Sequence, residues 1–302
     1  MQKGVLVLTR TLGDVVLANV LANNIKLAYP DLTLDYVVEE CYAPLVKHNP
    51  NISAIKTIKS TVQNWDDVLA ICSNPYYDHV FVPQQTTGYD NNWHQITQSR
   101  HQHLIDFYAQ RCNITLVDRK LVVFTDSVDK VENTDRKCTI AIHNKTLADV
   151  KDWSYFDELV RMLHLAGYSI VQLGNGSEPT VEGSEKLSMS LEQIIRFFAQ
   201  KKCDVFIGLD SGLSYLAAAL NIQVVCIQGA TIPTTSGPYG ENVHTLLSQH
   251  TDECKKERKG VRCHGILGGR CAYKSKCIDT ITAFQVFEKV LEVLSHGKNG
   301  DK

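Results

Sequence analysis

The sequence predicts an α/β chain of two doubly wound parallel-sheet domains, and three observations carry that expectation. Short apolar runs alternate with amphipathic helical stretches, the pattern of βαβ units joined into parallel sheets. The strand segments are continuous apolar runs, as they are when both faces of a sheet are covered. The alternation stops once, in the charged stretch 125–137 (TDSVDKVENTDRK), and then restarts. That stretch has little to bury and reads as a linker between domains. With 302 residues the chain is long enough for two domains with real cores. The expected bounds are 1–130 for the first domain, 138–280 for the second, and 281–302 for a terminal helix with a short disordered tail.

In the first domain, Gly4 to Thr9 (GVLVLT) is the first strand. Leu12-Gly13-Asp14 reads as a turn, and Val15 to Ala28 as a helix stopped by Pro30-Asp31. Strands follow at Leu32 to Val38, Ala54 to Ile58 and His79 to Val82, with helices at Tyr42 to His48 and Trp65 to Cys72. Pro83 to Ser99 is a long polar loop, of the length that tends to be functional. A helix over Arg100 to Cys112 and a strand over Lys120 to Phe124 close the domain.

In the second domain, Cys138 to His143 is a strand, Trp153 to Ala166 a helix with Gly167 as its stop, and Ser169 to Leu173 a strand ending in Gly174-Asn175-Gly176. Ser190 and Gln193 have capping-box spacing for the helix that follows. The densest stretch is Cys203 to Gln228. An apolar strand, Asp204 to Gly208, runs into the polar turn Asp210-Ser211-Gly212. A helix, Leu213 to Leu220, and a strand, Gln223 to Ile227, complete it. A strand that opens a helix through such a turn aims backbone N–H groups and the helix dipole at one spot, which suits a phosphate. The alternative is an ordinary βα turn with Asp or Ser as the cap. The terminal helix, Thr282 to Ser295, carries Phe284, Phe287, Val290, Leu291 and Leu294 on its expected buried face.

Composition sets limits. The chain is 44% hydrophobic and 21% charged, as in a globular protein, and its net charge of −2 gives no global attraction to nucleic acid. No apolar run has the length of a membrane span or of a secretory leader. A cytoplasmic protein is expected, with peripheral contact at the inner membrane and homo-oligomer formation left open.

Of ten cysteines, six are scattered, and four of these, Cys41, Cys138, Cys203 and Cys226, lie in or beside apolar segments and read as small buried thiols. Cys254, Cys263, Cys271 and Cys277 fall within 24 residues, spaced C-x8-C-x7-C-x5-C. In a cytoplasmic chain such a cluster more often holds a metal than disulfides. Zinc is the default and iron the alternative. A structural knot without metal, or free thiols, are the other readings. Residues 251–277 hold eight basic against three acidic residues, so this finger is basic.

The ordered set of motifs resembles the heptosyltransferase-like glycosyltransferases, family 9. Leu12-Gly13-Asp14-Val15-Val16-Leu17 with Ala28-Tyr29-Pro30-Asp31 is similar to the N-terminal signature. Tyr42-Ala43-Pro44-Leu45 and Asn49-Pro50-Asn51-Ile52 are similar to the segment after it. Ile142-His143, then Lys151-Asp152-Trp153, then Asp210-Ser211-Gly212, then Gly229-Ala230-Thr231 and Gly237-Pro238-Tyr239-Gly240 follow in the family's order. The chain departs from the pattern at Asn144-Lys145-Thr146, at Ser154 where a proline is usual, and at Gln228.

The resemblance implies a GT-B fold, two Rossmann-like domains facing a cleft, with the last helix crossing back toward the first domain. It implies an inverting sugar transfer, heptose from an ADP-activated donor being the leading choice, to a lipopolysaccharide core or protein hydroxyl. No cofactor is required. Asp14 would be the base that removes the acceptor's proton, unless it merely caps its helix. Lys151 would meet the diphosphate, with Lys145 as the alternative. Ser211, Gly212, Gly229 and Thr231 would line the donor site. Asp210 would accept from sugar hydroxyls or orient Lys151. Arg100, His101 and His103 are candidate acceptor contacts, and Tyr89 and Trp93 candidate stacking residues. A related branch, the bacterial autotransporter heptosyltransferases, carries cysteine-bound iron near the C-terminus, which bears on the cysteine finger. Two other classes stay open: a sugar-nucleotide 2-epimerase-like isomerase or hydrolase of the same fold, and a non-catalytic nucleotide-sugar binder.

Overall fold

The structure is a computed structural model. It describes residues 2–9, 11–59, 65–83, 102–126, 137–231, 233–249, 271 and 276–297, and all counts below are of those residues. The chain divides into two compact units, Met1–Ser127 and Val128–Lys302.

The first unit holds a four-stranded, wholly parallel sheet. Its strands are β1 (Lys3–Val7), β2 (Thr33–Glu39), β3 (Ala54–Ile58) and β4 (His79–Phe81), in the spatial order β3-β2-β1-β4. The chain builds outward from β1 through β2 to β3, then returns to add β4 on the other side. The topological switch therefore lies between β1 and β4, where ligands of such sheets collect at the strands' carboxyl ends.

Helix α1 (Leu12–Ala28) follows β1, α2 (Trp65–Cys72) precedes β4, and α3 (Leu104–Arg111) comes after it. Helix α1 starts earlier than the sequence suggests, so Leu12, Gly13 and Asp14 form its first turn rather than a loop before it. It is buried on most of its circumference and packs against β2, α3 and the short 3-10 helix Glu40–Leu45.

The expected strand over Lys120–Phe124 is not one. Leu121 and Val123 are buried, but their backbone joins no sheet. The approach to that segment is instead held by one buried side chain of α1. Asn24 Oδ1 accepts from the N–H groups of Val117 (2.7 Å) and Asp118 (3.1 Å), and its Nδ2 donates to the Asp118 carbonyl at 2.6 Å.

The second unit holds a six-stranded parallel sheet in the order β10-β9-β8-β5-β6-β7. The strands are β5 (Thr139–Ile142), β6 (Ser169–Gly174), β7 (Glu185–Ser188), β8 (Val205–Leu209), β9 (Gln223–Gln228) and β10 (Val243–Leu247). Strands β5, β6 and β7 run to one side and β8, β9 and β10 to the other, so this sheet switches between β5 and β8. The edge strands β7 and β10 were not expected from the sequence. Both are half-exposed, so they lack the continuous apolar run by which buried strands are read.

Helices α4 (Phe156–Leu165), α5 (Leu191–Ala199), α6 (Gly212–Ala219) and α7 (Ala283–Gly297) complete the unit. The capping box at Ser190 forms: Gln193 N donates to Ser190 Oγ, and Ser190 N donates to Gln193 Oε1. Gly167 ends α4 with φ +93°, and no atom crowds it, so the backbone angle alone calls for glycine. Helix α7 packs on α4, β8 and β9 through Val286, Val290 and Val293. Phe284 and Leu291, expected inside, are exposed. Two apolar stripes overlap on this helix, and packing selects the valine one. Cys203 and Cys226 are buried as expected, whereas Cys41 is exposed.

Candidate active site

In the second unit the switch between β5 and β8 brings two distant residues together. Lys151 ends a 3-10 helix, Asp149–Lys151, in the connection after β5. Asp210 is the first residue after β8. Lys151 Nζ lies 2.9 Å from Asp210 Oδ2 and 3.3 Å from the Asp210 carbonyl oxygen. Both side chains are largely withdrawn from water, 14% and 6% exposed. The same Oδ2 accepts from Thr231 Oγ1 at 2.6 Å and from Ser236 Oγ at 3.4 Å. Gln228 Nε2 donates to Thr231 Oγ1 and to the Ser236 carbonyl, both at 2.9 Å. The arrangement sets the Asp210 carboxylate directly against the Lys151 ammonium.

Lys145, the alternative cation, is drawn elsewhere. Its ammonium pairs with Asp152 and with Asp149, the latter at 2.9 Å. Hydrogen bonds from these carboxylates, Asp152 foremost, push its pKa up.

Ser211 is the N-cap of α6 with extended backbone, yet its side chain makes no capping bond and its Oγ is buried without a hydrogen-bond partner. A buried hydroxyl left so costs roughly 1–3 kcal/mol, and such costs concentrate where a ligand supplies the partner. Gly212 opens the helix beside it.

Gly229 has a packing role that the motif did not reveal. A Cβ there would stand 2.6 Å from Ile278 Cβ and 3.0 Å from Ile278 Cα. The segment carrying Ile278 also grips the Lys151 connection. Trp153 Nε1 donates to the Ile281 carbonyl at 2.7 Å, and Ser154 donates to the Asp279 carboxylate through both N and Oγ at 3.0 Å. A proline at position 154 could make neither of those bonds.

Sequence reasoning missed Glu178. Its carboxylate accepts from the N–H groups of Asn175 (3.1 Å) and Gly176 (3.0 Å), so the turn after β6 already holds an anion. Burial would raise its pKa, but the backbone hydrogen bonds and nearby His143 outweigh that and hold it below the usual range. His143 Nε2 stands 3.8 Å from Glu178 Oε1. Burial pushes the imidazole's pKa down against the pull of Glu178, and its Nδ1 is buried without a partner. A Glu two residues beyond a Gly-Asn-Gly turn was the available signal.

In the first unit Asp14 is the third residue of α1, 8% exposed. Its Oδ2 accepts from Thr11 N (2.9 Å) and Thr11 Oγ1 (3.0 Å), so it does cap the helix start. Its Oδ1 accepts from the buried Tyr108 hydroxyl of α3 at 2.8 Å. Fully buried Tyr36 donates its hydroxyl to the Leu8 carbonyl at 2.8 Å. Burial first, and the Asp14 charge second, push the Tyr36 hydroxyl well above its ordinary pKa. His103 is buried and caps α3 by accepting from Ile105 N at 3.3 Å. Tyr89, Trp93, Arg100 and His101 lie outside the described residues.

Of the cysteine finger, Cys254 and Cys263 also lie outside the described residues. Cys277 is buried, Cys271 is half-buried against Val150 and Ala230, and both thiols are free. Among the described residues no group of three or more His, Cys, Asp or Glu is placed to hold a metal. Two thiols supply half of a four-ligand set. No described helix is long and apolar enough to cross a membrane.

Comparison with known proteins bears on the site. Residues 101–265 match glycosyltransferase family 9 (heptosyltransferase), a span that contains Lys151, Asp210 and Thr231. The lipooligosaccharide heptosyltransferase 2 of Haemophilus influenzae is 26% identical over 162 residues, 48% of this chain and 44% of that protein. The matched region thus spans less than half the length of that curated relative. Among solved structures, the ADP-heptose lipopolysaccharide heptosyltransferase II of E. coli is similar with a TM-score of 0.68 at 16% identity, covering 99% of this chain and 100% of that one. The iron-containing dodecameric glycosyltransferase TibC of enterotoxigenic E. coli is similar with a TM-score of 0.70 at 18% identity, covering 98% of this chain and 76% of that one. The two parallel sheets have the fold of these GT-B enzymes. With the family match covering more than half its length, the chain belongs to glycosyltransferase family 9, the heptosyltransferases.

Proposed function

We propose that this protein is an inverting glycosyltransferase that moves heptose from ADP-heptose to a hydroxyl of a lipopolysaccharide core or a protein. The observation that carries the reading is the buried Lys151–Asp210 pair beside the uncapped start of α6. The ammonium and the α6 amides would hold the donor's diphosphate, with Thr231 on the same carboxylate. As the bond from the anomeric carbon to the diphosphate oxygen breaks, its electron pair stays on the phosphate, where Lys151 stabilises it. The acceptor oxygen attacks the opposite face and gives up its proton to Asp14. Inversion follows from that single displacement.

The reading predicts nucleotide preference. Saturating ADP-heptose, at about 100 times its Kd, should stabilise the protein by about 2.7 kcal/mol in thermal unfolding. ADP should stabilise it less and UDP-sugars little. An acceptor saccharide should then gain heptose with inverted configuration. Stabilisation by no nucleotide sugar would overturn the reading. Release of free heptose alone would turn it toward the hydrolase alternative.

Cys254, Cys263, Cys271 and Cys277 would hold one structural metal, zinc or iron, supported by their clustering within 24 residues and by Cys271 and Cys277 forming no disulfide. Elemental analysis of the purified protein should give about one metal per chain. Cys263→Ser with Cys271→Ser should lose it and lower the melting temperature. Metal-free protein with an unchanged melting temperature would exclude the site. An acceptor anchored at the inner membrane would bring the protein there peripherally from the cytoplasm, and self-association is an expectation that TibC's dodecamer supports.

A further inference from the structure

Three hydrogen bonds to Asp14 come from two places. Thr11 supplies two of them to Oδ2 from the residue just before the helix. The third crosses 94 positions of sequence, from Tyr108 Oη to Oδ1. Tyr108 sits on α3, the helix that follows β4, and is 1% exposed. The β1/β4 switch therefore brings Tyr108 to Asp14, just as the β5/β8 switch brings Asp210 to Lys151. The first turn of α1 would be capped by Thr11 and Asp14 alone, so helix formation does not call for the tyrosine hydroxyl.

We propose that Tyr108 is a positioning residue for sugar transfer, its buried hydroxyl holding Asp14 Oδ1 in the orientation and ionised form that removes the acceptor's proton. This rests on Asp14 being the base. A carboxylate with χ2 free to rotate presents its oxygens in many directions, and a donor on Oδ1 opposite the donors on Oδ2 fixes that torsion. A hydrogen bond donated to the carboxylate also favours the charged form over the neutral one. Among the described residues, Tyr108 from α3 donates to Asp14, and Tyr36 from β2 stands close enough to feel its charge. Tyr36 donates its hydroxyl to the Leu8 carbonyl.

The sign is set by which form the bond favours. The base works above its pKa and is lost as pH falls through it. Removing the Tyr108 hydroxyl raises that pKa, so the acidic limb of kcat moves up. Tyr108→Phe should lower kcat about tenfold, shift the acidic limb upward by about one pH unit, and leave the KM for donor unchanged. In an Asp14→Asn background the same substitution should have no further effect on residual turnover, because the two act as one unit. Should the phenylalanine variant fold poorly, 3-fluorotyrosine at 108 keeps the shape with a more acidic hydroxyl, and should move the limb downward. An unmoved acidic limb in Tyr108→Phe, or an equal loss with and without Asp14, would make the role purely structural. Wild-type turnover in Asp14→Asn would sink the base assignment itself, a result distinct from an inert Tyr108.

Discussion

Replacing Asp14 with alanine is expected to reduce sugar transfer by a factor of about 10² to 10⁴ while donor binding persists. The loss corresponds to about 3–5 kcal/mol of transition-state stabilisation, the range of a lost general base. The same carboxylate caps α1 through Thr11, so part of the alanine effect is on stability, about 1 kcal/mol for a lost cap. Asp14→Asn separates the two. The amide oxygen can still accept from Thr11 or Tyr108, but it cannot take a proton. The asparagine protein should therefore melt close to the wild type and transfer as poorly as the alanine protein. Calorimetric titration with ADP-heptose supplies the binding arm. If Asp14→Asn transfers normally and Asp14→Ala only melts lower, Asp14 is a helix cap and nothing more.

Removing Asp210 should have the larger effect on the folded state. Asp210→Ala leaves the Lys151 ammonium, 14% exposed, without its carboxylate and leaves Thr231 and Ser236 without their acceptor. Breaking one partner of a buried pair costs about 3–5 kcal/mol, because the remaining charge stays desolvated. Donor affinity should fall as well, since an unanchored Lys151 no longer meets the diphosphate in one geometry. The double change Lys151→Met with Asp210→Leu removes both charges and should recover most of the stability, yet no donor binding. Chemical denaturation of the three proteins reads the first effect and calorimetry the second. Full donor affinity in the double variant would show that the pair is structural.

These expectations differ in how much of each the sequence reveals. The Lys151 and Asp210 motifs were legible through the family resemblance, with Lys145 kept as the alternative cation. What Asp210 does with its carboxylate was not, because its partner stands 59 positions away. Glu178 escaped notice for a related reason: a carboxylate folding back onto amides two and three residues earlier looks like any surface Glu in a polar turn. Gly229 was assigned to the donor loop from its motif, and the structure adds that Ile278 crosses it. The strand expected at Lys120–Phe124 failed because its apolar residues are buried by docking rather than by pairing, with Asn24 supplying the nearby anchor.

The sequence by itself determined the alternation of strands and helices, apart from the edge strands β7 and β10 and the strand expected at Lys120–Phe124, together with the capping box at Ser190, the stop at Gly167 and the family of the chain. Those features arise from chemistry between residues a few positions apart, or from motifs read in order. Only the tertiary structure decided that Lys151 faces Asp210, that Tyr108 reaches Asp14, and that α7 buries its valines rather than Phe284 and Leu291. For the first two the physical reason is the same. A parallel sheet joins strands through crossovers, so the neighbours at a strand's carboxyl end are fixed by strand order, and strand order is set by packing over the whole unit.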